Sequence, residues 1–108
     1  MSTKLPEPLA AYFAAVNIHD IDAMLTPFSE VATVKDEGQE RRGLAAIREW
    51  IEETTRKYGV TIVVTNVVEA NGNTTVTGRV SGNFPGSPID LRYAFILDGK
   101  KIARLEIS

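Results

Sequence analysis

The order of secondary-structure patterns along the chain constrains the fold more than any single motif. All helical patterns lie before residue 60, and most of the chain from Thr61 onward has the pattern of strands and tight turns. Asn71-Gly72 is a strong signal for a two-residue hairpin turn, and Asp98-Gly99 marks another turn. Helices followed by a strand meander predict an α+β fold, with the helices packed on one face of a strongly curved antiparallel sheet.

Hydrophobic spacing locates the individual elements. Leu9, Tyr12, Phe13 and Val16 follow i, i+3, i+4, i+7 spacing, which predicts a one-faced helix. Gly78 interrupts a later strand, where a missing side chain indicates a bend or a close approach. The predicted elements are helices at Leu9–Val16, Ile21–Leu25 and Leu44–Tyr58, a polar turn at 37–40, and strands at Ser29–Asp36, Thr61–Glu69, Thr74–Asn83, Ile89–Leu97 and Ile102–Ile107.

Composition narrows the classes of function. A length of 108 residues predicts one domain, spanning 1–108. Twelve Lys and Arg against 14 Asp and Glu give a net charge of −2, so the chain has no excess of basic residues that would favour binding to nucleic acid. The chain has no Cys and a single His, His19, which we interpret as a capping or surface residue. We therefore expect no metal site, and the absence of a phosphate-loop motif leads us to expect no cofactor.

The N-terminal region shows no targeting pattern. Its longest apolar run, Leu9–Val16, is too short to span a bilayer, and Glu7 precedes it where a signal peptide would carry positive charge. We therefore expect no membrane association and a cytoplasmic location.

Three stretches of sequence carry a family likeness: Tyr12–Ala23, Ala32–Asp36 and Arg42–Ile47. Through their order and spacing the chain resembles the NTF2-like superfamily, and its SnoaL-like and ketosteroid isomerase branch in particular. The resemblance implies a cone-shaped α+β fold with one deep apolar pocket, commonly in a homodimer. In ketosteroid isomerases an Asp at the end of the first strand shuttles a proton, and a Tyr and a protonated Asp form the oxyanion hole.

The resemblance transfers to three residues of this chain. Asp36 falls on the base position and Tyr12 on the oxyanion tyrosine, whereas Tyr93 stands where the family has its protonated Asp. Because Tyr is wider than Asp, we expect a compact planar ligand to fit better than a steroid. The residues alone leave a second interpretation open, in which Asp36 is a solvated carboxylate at a strand end and both tyrosines are core aromatics.

Two hypotheses of function remain open at this point. The first is a cofactor-free isomerase or cyclase that applies general acid–base chemistry to a small hydrophobic carbonyl compound. The second is a non-catalytic module that binds a hydrophobic ligand or dimerises. In either case we expect the pocket to be lined by Tyr12, Phe13, Val34, Asp36, Trp50, Val76, Val80, Tyr93 and Phe95.

The opposite sheet face is predicted to be half-polar. Strand alternation places on it the residues Thr77, Arg79, Ser81, Asp90 and Arg92. This face is either solvated or, as the resemblance implies, the interface of a homodimer.

Overall fold

The computed structural model describes residues 5–108, which form three helices and six strands. No helix in this part of the chain is long and apolar enough to cross a membrane. The elements are α1 (Glu7–Asn17), α2 (Ile21–Leu25), β1 (Phe28–Asp36), β2 (Gln39–Arg42), α3 (Leu44–Tyr58), β3 (Thr61–Ala70), β4 (Asn73–Ser81), β5 (Ile89–Asp98) and β6 (Lys101–Ile107).

The six strands form one curved, unclosed sheet in the order β2-β1-β6-β5-β4-β3. All neighbouring strands are antiparallel except β1 and β6, which pair in parallel. The α+β class predicted from the sequence is confirmed. The parallel pair was not predicted, because it joins the first strand of the chain to the last and leaves no local signal.

Helix α3 is the best-specified element of the fold. Ile47, Trp50 and Ile51 form its buried stripe, as the spacing predicts. Gly59 ends the helix in the left-handed conformation (φ 54°), and its N–H donates to the carbonyl of Thr55 at 3.0 Å. At the other end the N–H of Gly43 donates to Ala32 O at 2.9 Å, so the start of α3 is joined to β1.

The prediction of a polar turn at 37–40 is wrong for residues 39 and 40, which belong to a strand. Glu37 and Gly38 have φ of 54° and 77°, which forms a two-residue hairpin turn. The chain then returns as the edge strand β2, which pairs with the end of β1. Every residue of β2 is charged or polar, so the strand carries no hydrophobic alternation that the sequence could reveal.

Gly78 marks a close approach between neighbouring strands. A Cβ at this position would lie 2.7 Å from Cγ2 of Ile62 on β3 and 3.7 Å from Cε1 of Tyr93 on β5. The Ile62 side chain therefore occupies the space that a larger residue would need. Of the two interpretations of this glycine, a bend or a close approach, the structure shows the close approach.

One side chain joins the end of α1 to the edge strand β3. Asn17 Nδ2 donates to the carbonyl of Ile62 at 2.9 Å, and the N–H of Ile62 donates to Asn17 Oδ1 at 2.6 Å. A strand at a sheet edge has backbone groups without a strand partner, and here a single amide satisfies both groups of one residue.

We expect Asn17→Ala to lower the free energy of unfolding by about 2 kcal/mol, because two partly buried backbone groups lose their partner. Asn17→Asp, which still accepts from the Ile62 N–H but cannot donate, should show a smaller loss. Asn66→Ala, at an exposed position of the same strand, is the control. Urea unfolding measures all three, and an equal loss in the Asn17 and Asn66 alanine variants would contradict the assignment.

Candidate functional site

A cavity of about 210 Å³ lies between α1, α3 and the inner face of the sheet. Its wall is mostly apolar, with contributions from Val16, Ile51, Ile62 and Leu91. Of the nine residues that the sequence predicts to line a pocket, the structure brings five together around this cavity: Tyr12, Asp36, Trp50, Val80 and Tyr93.

The other four predicted residues lie behind the cavity wall. Phe13, Val34, Val76 and Phe95 are buried in the hydrophobic core and do not line the cavity. Strand phase correctly places Val34, Val76 and Phe95 on the inner face. It does not separate residues that meet the helices from residues that face the space between them.

The buried aromatic residues support the two tyrosines of the cavity. Phe13 packs edge-to-face on Tyr93, with ring centroids 5.3 Å apart. Phe28 and Phe95 pack edge-to-face on Tyr12 at 5.7 and 6.1 Å. These contacts fix the planes of both tyrosine rings from the core side.

Asp36 is the last residue of β1, at the point where the strand leaves the core. It shares a face with the fully buried Ala32 and Val34, so its half-buried carboxyl lies at the cavity. The indole N–H of Trp50 donates to Asp36 Oδ2 at 3.1 Å. Burial raises the pKa of Asp36, and the hydrogen bond from Trp50 partly opposes that increase.

Tyr12 and Tyr93 present neutral hydroxyl groups to the same cavity. Burial raises the pKa of both hydroxyls, and the negative charge of Asp36 raises both further. Tyr93 also contributes to the increase at Tyr12, so the three groups form one electrostatic cluster. Each tyrosine is therefore protonated at neutral pH, with its O–H group available as a hydrogen-bond donor.

The mouth of the cavity carries a second set of polar groups. Tyr58 donates its hydroxyl to Glu37 Oε1 at 3.2 Å, and the Tyr58 ring packs edge-to-face on Phe84 at 6.1 Å. His19, in the left-handed region at φ 55°, lies within 2.9 Å of the Val60 carbonyl through Nε2. His19 is exposed, as expected, yet it also lines the cavity.

The residues at the mouth of the cavity are not among those that the sequence predicts to line the pocket. The helical spacing Trp50, Thr54, Tyr58 was a usable signal, because i, i+4, i+8 residues share one helix face, and all three line the cavity. Phe84 gave no such signal, since it lies in the irregular β4–β5 connection. Between residues 5 and 108 no group of three His, Asp or Glu side chains is placed to hold a metal ion.

A curved sheet, helices on one face and an apolar cavity with an Asp at the end of β1 are the features of an NTF2-like fold. The family model of the SnoaL-like domain matches residues 9–104. The chain therefore belongs to the SnoaL-like family, which confirms the resemblance found from the sequence. No protein with a curated description matches it.

Solved structures give the same assignment. A proposed polyketide cyclase from Sinorhizobium meliloti is 35% identical, with a TM-score of 0.92 over 96% of this chain and 95% of that one. SalBIII, an epoxide hydrolase/cyclase-like enzyme of pyran ring formation in salinomycin, is 27% identical, with a TM-score of 0.82 over 94% and 86%. A Catenulispora acidiphila protein with a ketosteroid isomerase-like fold, at 21% identity and a TM-score of 0.84 over 97% and 86%, shares the fold.

We expect Asp36→Asn to raise the melting temperature at neutral pH. Because burial raises the pKa of Asp36 in the folded protein, the folded state binds this proton more tightly than the unfolded chain does. The contribution of the carboxyl is thus most favourable at low pH and is lost as pH rises through the folded pKa.

The gain from Asp36→Asn should accordingly shrink as pH falls to about 4, close to the pKa of an unfolded Asp. Melting curves of wild type and variant across this range measure the difference. Glu30→Gln, at an exposed carboxylate of the same strand, is the control. A variant that is less stable than wild type at neutral pH would contradict a raised pKa.

Proposed function

We propose that this protein uses cofactor-free general acid–base chemistry on a small hydrophobic carbonyl compound. The observation that carries the proposal is the cluster of Asp36, Tyr12 and Tyr93 at one apolar cavity. A carboxyl with a raised pKa is a base matched to proton transfer near neutral pH. Two neutral hydroxyl groups beside it are suitable donors to the oxyanion that such a transfer creates.

The proposed reaction begins with removal of a proton from the carbon next to the carbonyl group. The C–H electron pair moves into the new C=C bond as the carbonyl oxygen becomes an enolate oxygen, and the proton goes to Asp36. Tyr12 and Tyr93 donate hydrogen bonds to the enolate oxygen. Return of the proton to another carbon gives an isomerase. In a cyclase the enolate carbon attacks a second carbonyl of the ligand, the first C=O bond re-forms, and the oxygen of the attacked carbonyl takes the proton from Asp36 to become a hydroxyl group.

The relatives support this class of chemistry. Ring closure of a polyketide by an intramolecular aldol step starts with the same proton removal, and the chain is 35% identical to a proposed polyketide cyclase. The cavity of about 210 Å³ favours a ligand of one or two rings over a steroid. Tyr93 contributes to this limit, since its ring fills depth that a fused four-ring system would need.

We expect the protein to accelerate hydrogen–deuterium exchange at the α-carbon of 2-tetralone, a compact two-ring ketone, above the buffer rate. Asp36→Asn should lower this enzymatic rate by roughly 100-fold or more, because it removes the base. Tyr12→Phe and Tyr93→Phe should each lower it by at least about tenfold. Proton NMR in deuterated buffer measures the rates, with Glu30→Gln as the unaffected control.

The same assay separates the two hypotheses of function. If 2-tetralone binds, as shown by a thermal shift, but exchanges at the buffer rate, the pocket is a binding site and the enzyme proposal is wrong. If a Δ5-3-ketosteroid reacts faster than 2-tetralone, the size argument from Tyr93 is wrong while the acid–base proposal stands.

We further propose that two copies pair through the outer sheet face. Arg79, Ser81, Asp90 and Arg92 are exposed there, and Thr77 is half-buried. Arg79 Nε lies 3.4 Å from Asp90 Oδ1, and Val63 and Ile96 add exposed apolar surface to the same face. Arginine is enriched at surfaces that another protein covers, and such surfaces combine an apolar centre with a polar rim.

Sedimentation at micromolar concentration should therefore give twice the 11.8 kDa of one chain. Arg79→Glu combined with Arg92→Glu should shift the protein to the monomer. The substitutions replace two positive charges on this face by negative ones beside Asp90, so the two copies repel each other. Arg56→Glu on the exposed side of α3 is the matched control. A wild-type monomer, or a dimer that the double variant leaves intact, would exclude this interface.

A further inference from the structure

The indole of Trp50 makes a directed polar contact with the proposed base, in addition to its place in the cavity wall. Its N–H donates to Oδ2 of Asp36, at 3.1 Å, and no other side chain of the described residues donates to that carboxyl group. An indole N–H donates but cannot accept a hydrogen bond. The oxygen that faces it must therefore act as an acceptor whether Asp36 is ionised or protonated.

The position of Trp50 is fixed by the packing of α3. Trp50 is only 6% exposed, and its neighbours Ile47 and Ile51 are fully buried in the core. The helix is joined to β1 through the hydrogen bond from Gly43 and to α2 through the ion pair of Arg48 with Asp22. The indole N–H is thus presented to the end of β1 by a rigid element.

We propose that Trp50 is a positioning residue that holds Oδ2 of Asp36 and leaves Oδ1 as the atom that exchanges a proton with the ligand. The proposal rests on the proposed acid–base function. The carbonyl oxygen of a protonated carboxyl is a better acceptor than its hydroxyl oxygen, so the indole N–H on Oδ2 favours the proton on Oδ1. Because the indole holds Oδ2, the same oxygen, Oδ1, can return the proton to a second carbon of the bound ligand.

The indole hydrogen bond also counteracts the effect of burial. Burial alone would keep Asp36 protonated to a higher pH, and a donor to the carboxylate lowers its pKa. Glu37 adds a donor from its backbone N–H and an opposing negative charge, and Arg41 adds a positive charge. Among the groups that lower the pKa of Asp36, Trp50 has the largest effect.

The chain contains one tryptophan, which allows a sharp test. Global replacement of Trp by benzothienylalanine, in which sulfur takes the place of the indole N–H, changes only position 50 and keeps the ring size. Trp50→Phe is the conventional second variant. In wild type the single indole ¹H–¹⁵N signal should shift as Asp36 titrates, and Asp36→Asn should abolish that shift.

Two kinetic readouts concern the reaction of the ligand. In the benzothienyl protein the acid limb of the pH profile for 2-tetralone exchange should move to higher pH, because the anion of Asp36 has lost a donor. At optimal pH, kcat should fall about tenfold, because the carboxyl loses the contact that orients Oδ1 toward the ligand, while KM changes little. If Trp50 had only a structural role, its replacement would change KM or stability and would leave the acid limb of the pH profile at the same pH.

The outcomes separate this proposal from the function on which it rests. If exchange is fast and the benzothienyl protein keeps both the acid limb and kcat of wild type, Trp50 is not a positioning residue. If wild type shows no exchange above buffer, the proposed function fails, and the carboxyl titration then decides the assignment of Trp50. An Asp36 pKa that is unchanged in the benzothienyl protein would overturn the assignment of Trp50 as the residue that holds Oδ2, and a raised pKa would support that assignment.

Discussion

The packing of α3 against β1 determines the rest of the site. Ala32 and Val34 are fully buried on the inner face of β1, and Ile47 and Ile51 bury the facing stripe of α3. With the N–H of Gly43 bonded to the carbonyl of Ala32, this contact fixes both the position and the register of the helix along the strand. It is this register that brings the indole of Trp50 to the carboxyl of Asp36, 14 residues earlier in the chain.

The parts of this arrangement that follow local rules were predictable from the sequence. Both ends of α3 were predicted as observed, since Leu44 begins an apolar stripe and Gly59 is the residue type that a left-handed helix end requires. Alternation along β1 correctly put Asp36 on the inner face. The resemblance to a known family added Tyr12 and Tyr93, which no spacing rule would have brought together.

The remaining features depend on contacts between distant parts of the chain. The parallel pairing of β1 with β6 joins residues about 70 positions apart, as in the pair of Val34 with Leu105. Phe95 and Tyr93 lie on the same face of the same strand, yet only Tyr93 reaches the cavity. Periodicity reports which face is buried, whereas the distance between helix and sheet decides which buried residue meets empty space.

The apolar wall of the cavity has opposite effects on its two kinds of polar group. Removal from water makes an ionised carboxylate costly, so Asp36 tends to hold its proton, but the same low dielectric strengthens any hydrogen bond that a tyrosine donates to a developing oxyanion. Burial thus makes the Asp36 anion a stronger base but lowers the fraction of molecules in which it is ionised. The indole N–H of Trp50 provides a partner for the anion without admitting water, and the edge-to-face contacts of Phe13 and Phe28 hold the tyrosines in place without using their hydroxyl groups. The hydroxyl donors are therefore held in place before a ligand enters, so their geometry needs no reorganisation when charge moves onto the ligand oxygen.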